Sequence, residues 1–193
     1  IEPFACCIRG LNKISVKHGD NVAILGAGPT GVMHMLLAKL WGANNIVVSD
    51  INQFRLKFVE KYGVTTVNLN QDSQYDVVKE ITKNIGTDIT ILATGSIKAF
   101  ESSLKITRRG GKILLFGVPS VGSKFDLDLN SIYSNEQIII PSYGASEIET
   151  NQALSLMSDK SIDLLPLVTH RFQITESSDA FKCAHEASDA MKV

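Results

Sequence analysis

The run Val22-Ala-Ile-Leu-Gly26-Ala-Gly28-Pro29-Thr30-Gly31 constrains this chain more than any other stretch. Apolar residues end in three glycines at G-x-G-x-x-G spacing, which reads as a strand, a tight turn and a helix. Gly26 permits a sharp exit from the strand. Gly28 has no side chain to hold a pyrophosphate away from the backbone, and Gly31 lets the helix pack close to the strands. The opening N–H groups of that helix face a phosphate with the positive end of its dipole. Nineteen residues beyond Gly31, Asp50 ends a second apolar run, where a carboxylate accepts hydrogen bonds from adenosine ribose hydroxyls. The glycine spacing alone is weak evidence. With both strands, the helix and the acid in register, it points to a dinucleotide.

At 193 residues and 44% hydrophobic content, the chain can bury one good core and a small appendage. Its 19 basic and 20 acidic side chains are mixed along the sequence, so no basic stripe argues for nucleic acid. The longest apolar runs fall far short of a membrane span. Three cysteines, two of them adjacent as Cys6-Cys7, make neither a disulfide framework nor a C-x-x-C metal pair, which fits a reducing cytoplasm. The chain opens Ile1-Glu2-Pro3 without methionine and stops at Met191-Lys192-Val193, where an apolar strand is starting, so it is expected to be a piece of a longer polypeptide.

Strands are expected at Asn21–Leu25, Ile46–Ser49, Val64–Leu69, Asp88–Ala93, Lys112–Phe116 and Gln137–Pro141, with helices between most of them. Arg108-Arg109-Gly110-Gly111 reads as a turn, and the alternation of Phe125, Leu127 and Leu129 with Asp126 and Asp128 reads as a half-exposed strand. Apolar strands alternating with amphipathic helices imply an α/β fold of the Rossmann type, a doubly wound, six-stranded parallel sheet. The rhythm changes after Gly144. We expect a linker helix at 1–17, a dinucleotide-binding domain at 18–143, and a C-terminal helical and strand appendage at 144–193.

The order of Glu2-Pro3, Gly26-Ala-Gly-Pro-Thr-Gly31, Val48-Ser-Asp50, Ala93-Thr94-Gly95, Gly110-Gly-Lys112, Gly117-Val118-Pro119 and Leu167-Val-Thr-His-Arg-Phe172 resembles the zinc-dependent medium-chain dehydrogenases, most of all their sorbitol and L-threonine dehydrogenase branch. The resemblance covers essentially the whole chain. It implies a cofactor domain plus a segment returning to a catalytic N-terminal half that is missing here. The family's main zinc ligands lie in that half, so this chain by itself is expected to be inactive and to carry no catalytic residue. The whole enzyme is expected to oxidise an alcohol or polyol with NAD and zinc, and to form a homodimer or dimer-based tetramer.

The same resemblance assigns cofactor contacts to Gly26, Gly28, Pro29, Thr30, Gly31, Asp50, Ile51, Arg55, Ala93, Thr94, Gly95, Phe116, Gly117, Val118, Ser142 and Tyr143. Ile51 walls the adenine slot, while Ser142 and Tyr143 fall where the family's backbone meets the nicotinamide carboxamide. Asp50 favours NAD by repelling the 2′-phosphate of NADP. Arg55 is compatible with either, approaching a 2′-phosphate or, on the family pattern, the adenosine ribose. Glu2 is implied as a zinc ligand, or partner of the zinc-bound water, in the whole enzyme only. His18, His34, His170 and His185 are not spaced as a zinc pair and read as structural. Three other readings stay open: an FAD or S-adenosylmethionine site, a non-catalytic dinucleotide module, and a zinc-free NADPH-dependent quinone or enone reductase.

Overall fold

Six stretches of the sequence become parallel strands in a computed structural model that describes all residues, Ile1–Val193. They are β1 (Val22–Leu25), β2 (Ile46–Asp50), β3 (Thr65–Asn68), β4 (Thr87–Leu92), β5 (Thr107–Leu115) and β6 (Ile138–Pro141), ordered β3-β2-β1-β4-β5-β6 across the sheet. The chain winds outward from β1 to β3, then returns to β4 on the other side of β1. That reversal opens a crevice at the C-terminal ends of β1 and β4, where ligands bind in such sheets.

Eight helices accompany the strands: α1 (Glu2–Ile14), α2 (Pro29–Leu40), α3 (Gln53–Glu60), α4 (Gln74–Ile81), α5 (Ile97–Ile106), α6 (Leu129–Asn135), α7 (Glu147–Ser158) and α8 (Ser177–Glu186). Successive side chains of a strand point to opposite faces. Val22 and Ile24 therefore join a core with α1, α2 and α3, while Ala23 and Leu25 join a second core with α4 and α5. Strands buried on both sides need no polar alternation, which explains their continuous apolar sequence.

Helix α1 is a layer of the first core. Phe4, Ile8, Leu11 and Ile14 are wholly buried, each worth about 1.5–3 kcal/mol relative to exposure. Gly10 allows the close crossing, since a Cβ there would stand 3.0 Å from Leu114 Cδ2. The C-terminal stretch reaches the same core through Ala153, Ile162, Leu167 and Met191. Its last residues return beside its middle, where Val168 bridges Lys192 in parallel. Helix α8 buries none of its own side chains.

Two local expectations change. Residues 125–128 form no strand: Phe125 packs edge-on against Phe100 at 5.1 Å, and Asp128 caps α6 by accepting from the Asn130 N–H at 2.9 Å. The apolar–acidic alternation instead half-buries Phe125 and Leu127 against the body of the domain, and Leu129 starts a helix with no buried residue. Its Leu129, Ile132 and Tyr133 recur at helical spacing over only two turns, too short a run to outweigh the alternation before it. The Arg108–Gly111 turn lies inside β5 as an interruption of its ladder: Thr87 pairs with Thr107, but Ile89 pairs with Lys112.

Candidate dinucleotide site

At the C-terminal end of β1 the turn is built from backbone contacts. Gly26 adopts φ +108°, which a side chain would strain. Its N–H donates to the Ser49 carbonyl at 2.8 Å, tying the turn to β2. A Cβ on Gly31 would lie 1.9 Å from the Gly26 carbonyl oxygen, so α2 sits as close as only glycine permits.

Gly28 differs from both. It caps α2 with φ −68° and ψ 179°, a conformation open to any residue. The only atom within 4 Å of its Cβ position is Arg55 Nη1, at 3.8 Å. Neither backbone nor packing asks for glycine there, whereas a phosphate seated on the turn does. The N–H groups of Gly28, Thr30 and Gly31 have no acceptor in the chain, and Pro29 between them has no N–H. These unmatched donors at the start of a twelve-residue helix form an anion cradle.

Asp50 is 8% exposed, with its carboxylate held at both ends. Oδ2 accepts from the Ala27 N–H at 2.7 Å, and Oδ1 accepts from the Asn52 N–H at 2.8 Å. A carboxylate offers about four acceptor directions, so two remain open to hydroxyl donors. Arg55 makes no ion pair with it. The Arg55 guanidinium lies over the turn instead, its Nη2 donating to the Ala187 carbonyl at 3.4 Å and its buried Nε lacking a partner. Ile51, 65% exposed, projects from the rim.

The loops after β4 and β5 supply the other wall. A Cβ on Gly95 would meet the Val118 carbonyl oxygen at 2.2 Å, and one on Gly117 would meet the Thr94 carbonyl carbon at 2.3 Å. The two loops thus touch backbone to backbone, and Ala93 abuts the Gly26 turn. Phe116 is set by His34, whose ring lies edge-on at 4.5 Å. After β6, Ser142 is buried and Tyr143 is 89% exposed.

Asn52 is a site residue that sequence reasoning did not single out. Its Oδ1 caps α3, accepting from the Phe54 and Arg55 N–H groups, and its Nδ2 donates to the Ser188 carbonyl at 2.9 Å. An asparagine directly before a helical run was the available signal. Behind β2, Gln74 bridges Ser49 and Ser102 at 2.9 Å each, a buried relay between distant residues that no motif announces.

Glu2 is exposed, and its Oε1 accepts from the Cys6 thiol at 3.1 Å. Burial, then that hydrogen bond, pushes the Cys6 thiol up to about 11, so it stays protonated near neutrality. No three His, Cys, Asp or Glu side chains group so as to hold a metal ion. His34 is wholly buried; with its Nδ1 on the Thr30 carbonyl at 2.8 Å, its Nε2 is a buried acceptor without a donor. A separate cleft of about 520 Å³ lies at the opposite, N-terminal edge of the sheet. Its Arg108 is paired with Asp88, and its Arg109 donates to the Ser134 carbonyl.

Residues 29–159, from the start of α2 to just past α7, match the family described as zinc-binding dehydrogenase. The chain belongs to that family. Among curated relatives, it is 38% identical to L-threonine 3-dehydrogenase of Marinomonas sp. over 84% of this chain and 48% of the relative. It is 34% identical to the Cronobacter sakazakii enzyme of the same name over 93% and 52%. The chain thus spans about half the length of the curated relatives it matches. Among solved structures, a Thermotoga maritima alcohol dehydrogenase superposes with TM-score 0.90 at 24% identity, over 98% of this chain and 53% of that one. A Sinorhizobium meliloti protein described as a zinc-binding dehydrogenase, with NADP bound, gives TM-score 0.85 at 26% identity over 93% and 53%. The chain shares its six-stranded parallel fold with these solved members of the family. None of its helices is long and apolar enough to cross a membrane.

Proposed function

We propose that this chain is the NAD-binding half of a zinc-dependent dehydrogenase that oxidises a secondary alcohol, polyol or related hydroxyl compound. The observation that carries the reading is Gly28, a glycine the protein itself does not require, set among the free N–H groups of Gly28, Thr30 and Gly31. These groups hold the pyrophosphate, with Gly26 shaping the turn. Asp50 accepts from the adenosine ribose, and Ile51 walls the adenine. The Ala93–Gly95 and Phe116–Val118 loops, with Ser142 and Tyr143, line the nicotinamide end. NAD supplies a hydride acceptor, and zinc lowers the pKa of the alcohol. This chain's share is to hold the cofactor in one orientation. Glu2, at the start of α1, serves as a zinc ligand or partner of its water, with the remaining ligands drawn from outside these residues.

NAD is the preferred cofactor because the Asp50 carboxylate, gripped by two backbone N–H groups, cannot swing away from a 2′-phosphate. Fluorescence titration tests this: NADH is expected to bind at least several-fold more tightly than NADPH, and the reverse order refutes it. Gly28→Val is expected to abolish binding of both while leaving the circular dichroism spectrum unchanged.

The same reading includes a homodimer, alone or within a tetramer. Strand β6 is a sheet edge of three isoleucines and one proline, with Ile138 48% exposed and no chain covering its outer side. An uncovered apolar edge invites pairing, and a two-fold copy satisfies it symmetrically. Sedimentation of Ile138→Lys checks this: loss of the dimer is expected, and an unchanged dimer places the interface elsewhere. The free cysteines are consistent with a reducing compartment such as the cytoplasm.

A further inference from the structure

Three observations meet at Arg55. Its Nη1 is the one atom near the open Gly28 position, where the site described above seats a pyrophosphate. Its Nη2 donates to the Ala187 carbonyl on the C-terminal return. Its Nε is buried without an acceptor, so the guanidinium has donors to spare in the protein alone. Beside it, Asn52 donates to the Ser188 carbonyl, so residues 187 and 188 hang on the first turn of α3 by two side chains. The anchor is light: the Ala187 bond is long at 3.4 Å, and α8 just before it buries no side chain. Beyond it the chain is firmly held, since Met191 is buried in the first core and its N–H donates to Thr169 Oγ1 at 3.0 Å.

A guanidinium is a rigid planar fork whose nitrogens serve separate acceptors at once. We propose that Arg55 bridges the bound dinucleotide and the C-terminal return, so that filling the glycine turn tightens residues 187–189 onto α3. The proposal rests on the reading that the turn takes a dinucleotide. An acceptor of the dinucleotide engaging Nη1 fixes the plane of the guanidinium, and with it the direction in which Nη2 faces Ala187. The free energy gained at one end is shared with the other, so ordering of the return and cofactor affinity rise together. Arg55 acts here as a positioning residue between the site and a segment more than a hundred positions away in sequence.

Amide hydrogen exchange of the full chain, with and without saturating NADH, tests the bridge. In the wild type NADH is expected to slow exchange at residues 28–32, and to slow the 187–189 amides at least about 5-fold. Arg55→Met removes both donors, and Arg55→Lys keeps the charge but not the fork. Both variants are expected to keep protection at 28–32 at saturation and to lose it at 187–189. Protection of 28–32 in the wild type without any change at 187–189 overturns the bridge. So does tail protection that survives in Arg55→Met. If NADH protects neither region, the cofactor reading itself fails, and the bridge falls with it. If Arg55→Met proves unfolded, Arg55→Lys alone decides by the same two comparisons.

Discussion

The turn after β1 and the stretch after β5 both lead from a strand to a helix, yet they are determined in different ways. In the turn, Gly26 is fixed by a positive φ and by the Ser49 carbonyl, and Gly31 by near-contact with the Gly26 oxygen. Backbone stands against backbone, and each residue type follows from what touches it. Past Pro119 the chain leaves such contacts. Val121 is fully exposed, and Leu129 and Tyr133 of α6 are 74% and 84% exposed. Apolar side chains there stand exposed, without close packing inside the chain. Residues held by contacts inside the chain announce their structure locally, while residues without such contacts do not.

The sharpest way to break this contrast lies within the turn, between Gly31 and Gly28. Gly31→Ala forces a Cβ onto a backbone oxygen that cannot rotate away, and we expect a loss of about 4 kcal/mol or more in urea unfolding. Gly28→Ala meets open space, and we expect stability within about 1 kcal/mol of the wild type while NADH affinity falls. Equal losses of stability would mean that Gly28 serves the fold and not a ligand.

A second test concerns His34, buried beneath the rim. Burial lowers its pKa from 6.5 to about 4, the hydrogen bond to the Thr30 carbonyl only partly opposing it. An unfolded chain takes up the proton near pH 6.5, whereas the folded one resists until about pH 4. The unfolded state therefore binds more protons in that window, so stability is full above pH 6.5 and declines as pH falls toward 4. The linked loss is about 3 kcal/mol. Urea midpoints measured across pH 4–7 should show this slope, and His34→Gln should flatten it even if that variant is weaker throughout. Asp88, whose pKa is lowered by the Asn21 N–H and by Arg108 against the opposing effect of burial, adds loss of the same sign only below the usual carboxylate range. An unchanged slope in His34→Gln would refute the buried neutral ring.

The division between inner and outer constraint also marks how far the sequence could be read. The six strands, their helices and the sheet's outer strand β6 were legible, because continuous apolar runs punctuated by glycine have few other uses in an α/β chain. The glycine turn was legible residue by residue. The grip on Asp50 by the Ala27 N–H was not, because backbone donors leave no mark in the sequence. Nor was the place of Arg55: its link to Ala187 spans 132 positions, and only the fold brings the two together. Residues 125–129 misled because period two is shared by an edge strand and by a coil that alternately touches and leaves the protein body. In α6 the decisive residue was the cap Asp128, which in a strand reading counts merely as an outward-facing acid.

The smallest effect expected compares two helix caps, one on each side of the contrast. Asn52 caps α3, whose Leu56, Phe58 and Val59 are buried, and it also holds the Ser188 carbonyl. Asn52→Ala loses the cap and that bond, and about 1–2 kcal/mol should follow in global unfolding. Asp128 caps α6 with comparable geometry, 2.9 Å to the Asn130 N–H, but α6 buries nothing. A short helix without a packed face draws little stability from elsewhere, so its loss scarcely burdens the fold. Asp128→Ala should change the urea midpoint by less than about 0.5 kcal/mol in energy. It should nevertheless speed amide exchange through 130–135, a local opening separated from global unfolding. If this variant instead destabilises the whole domain as much as Asn52→Ala, then α6 is packed within the chain in solution, and its exposed Leu129 and Tyr133 do not await an outside surface.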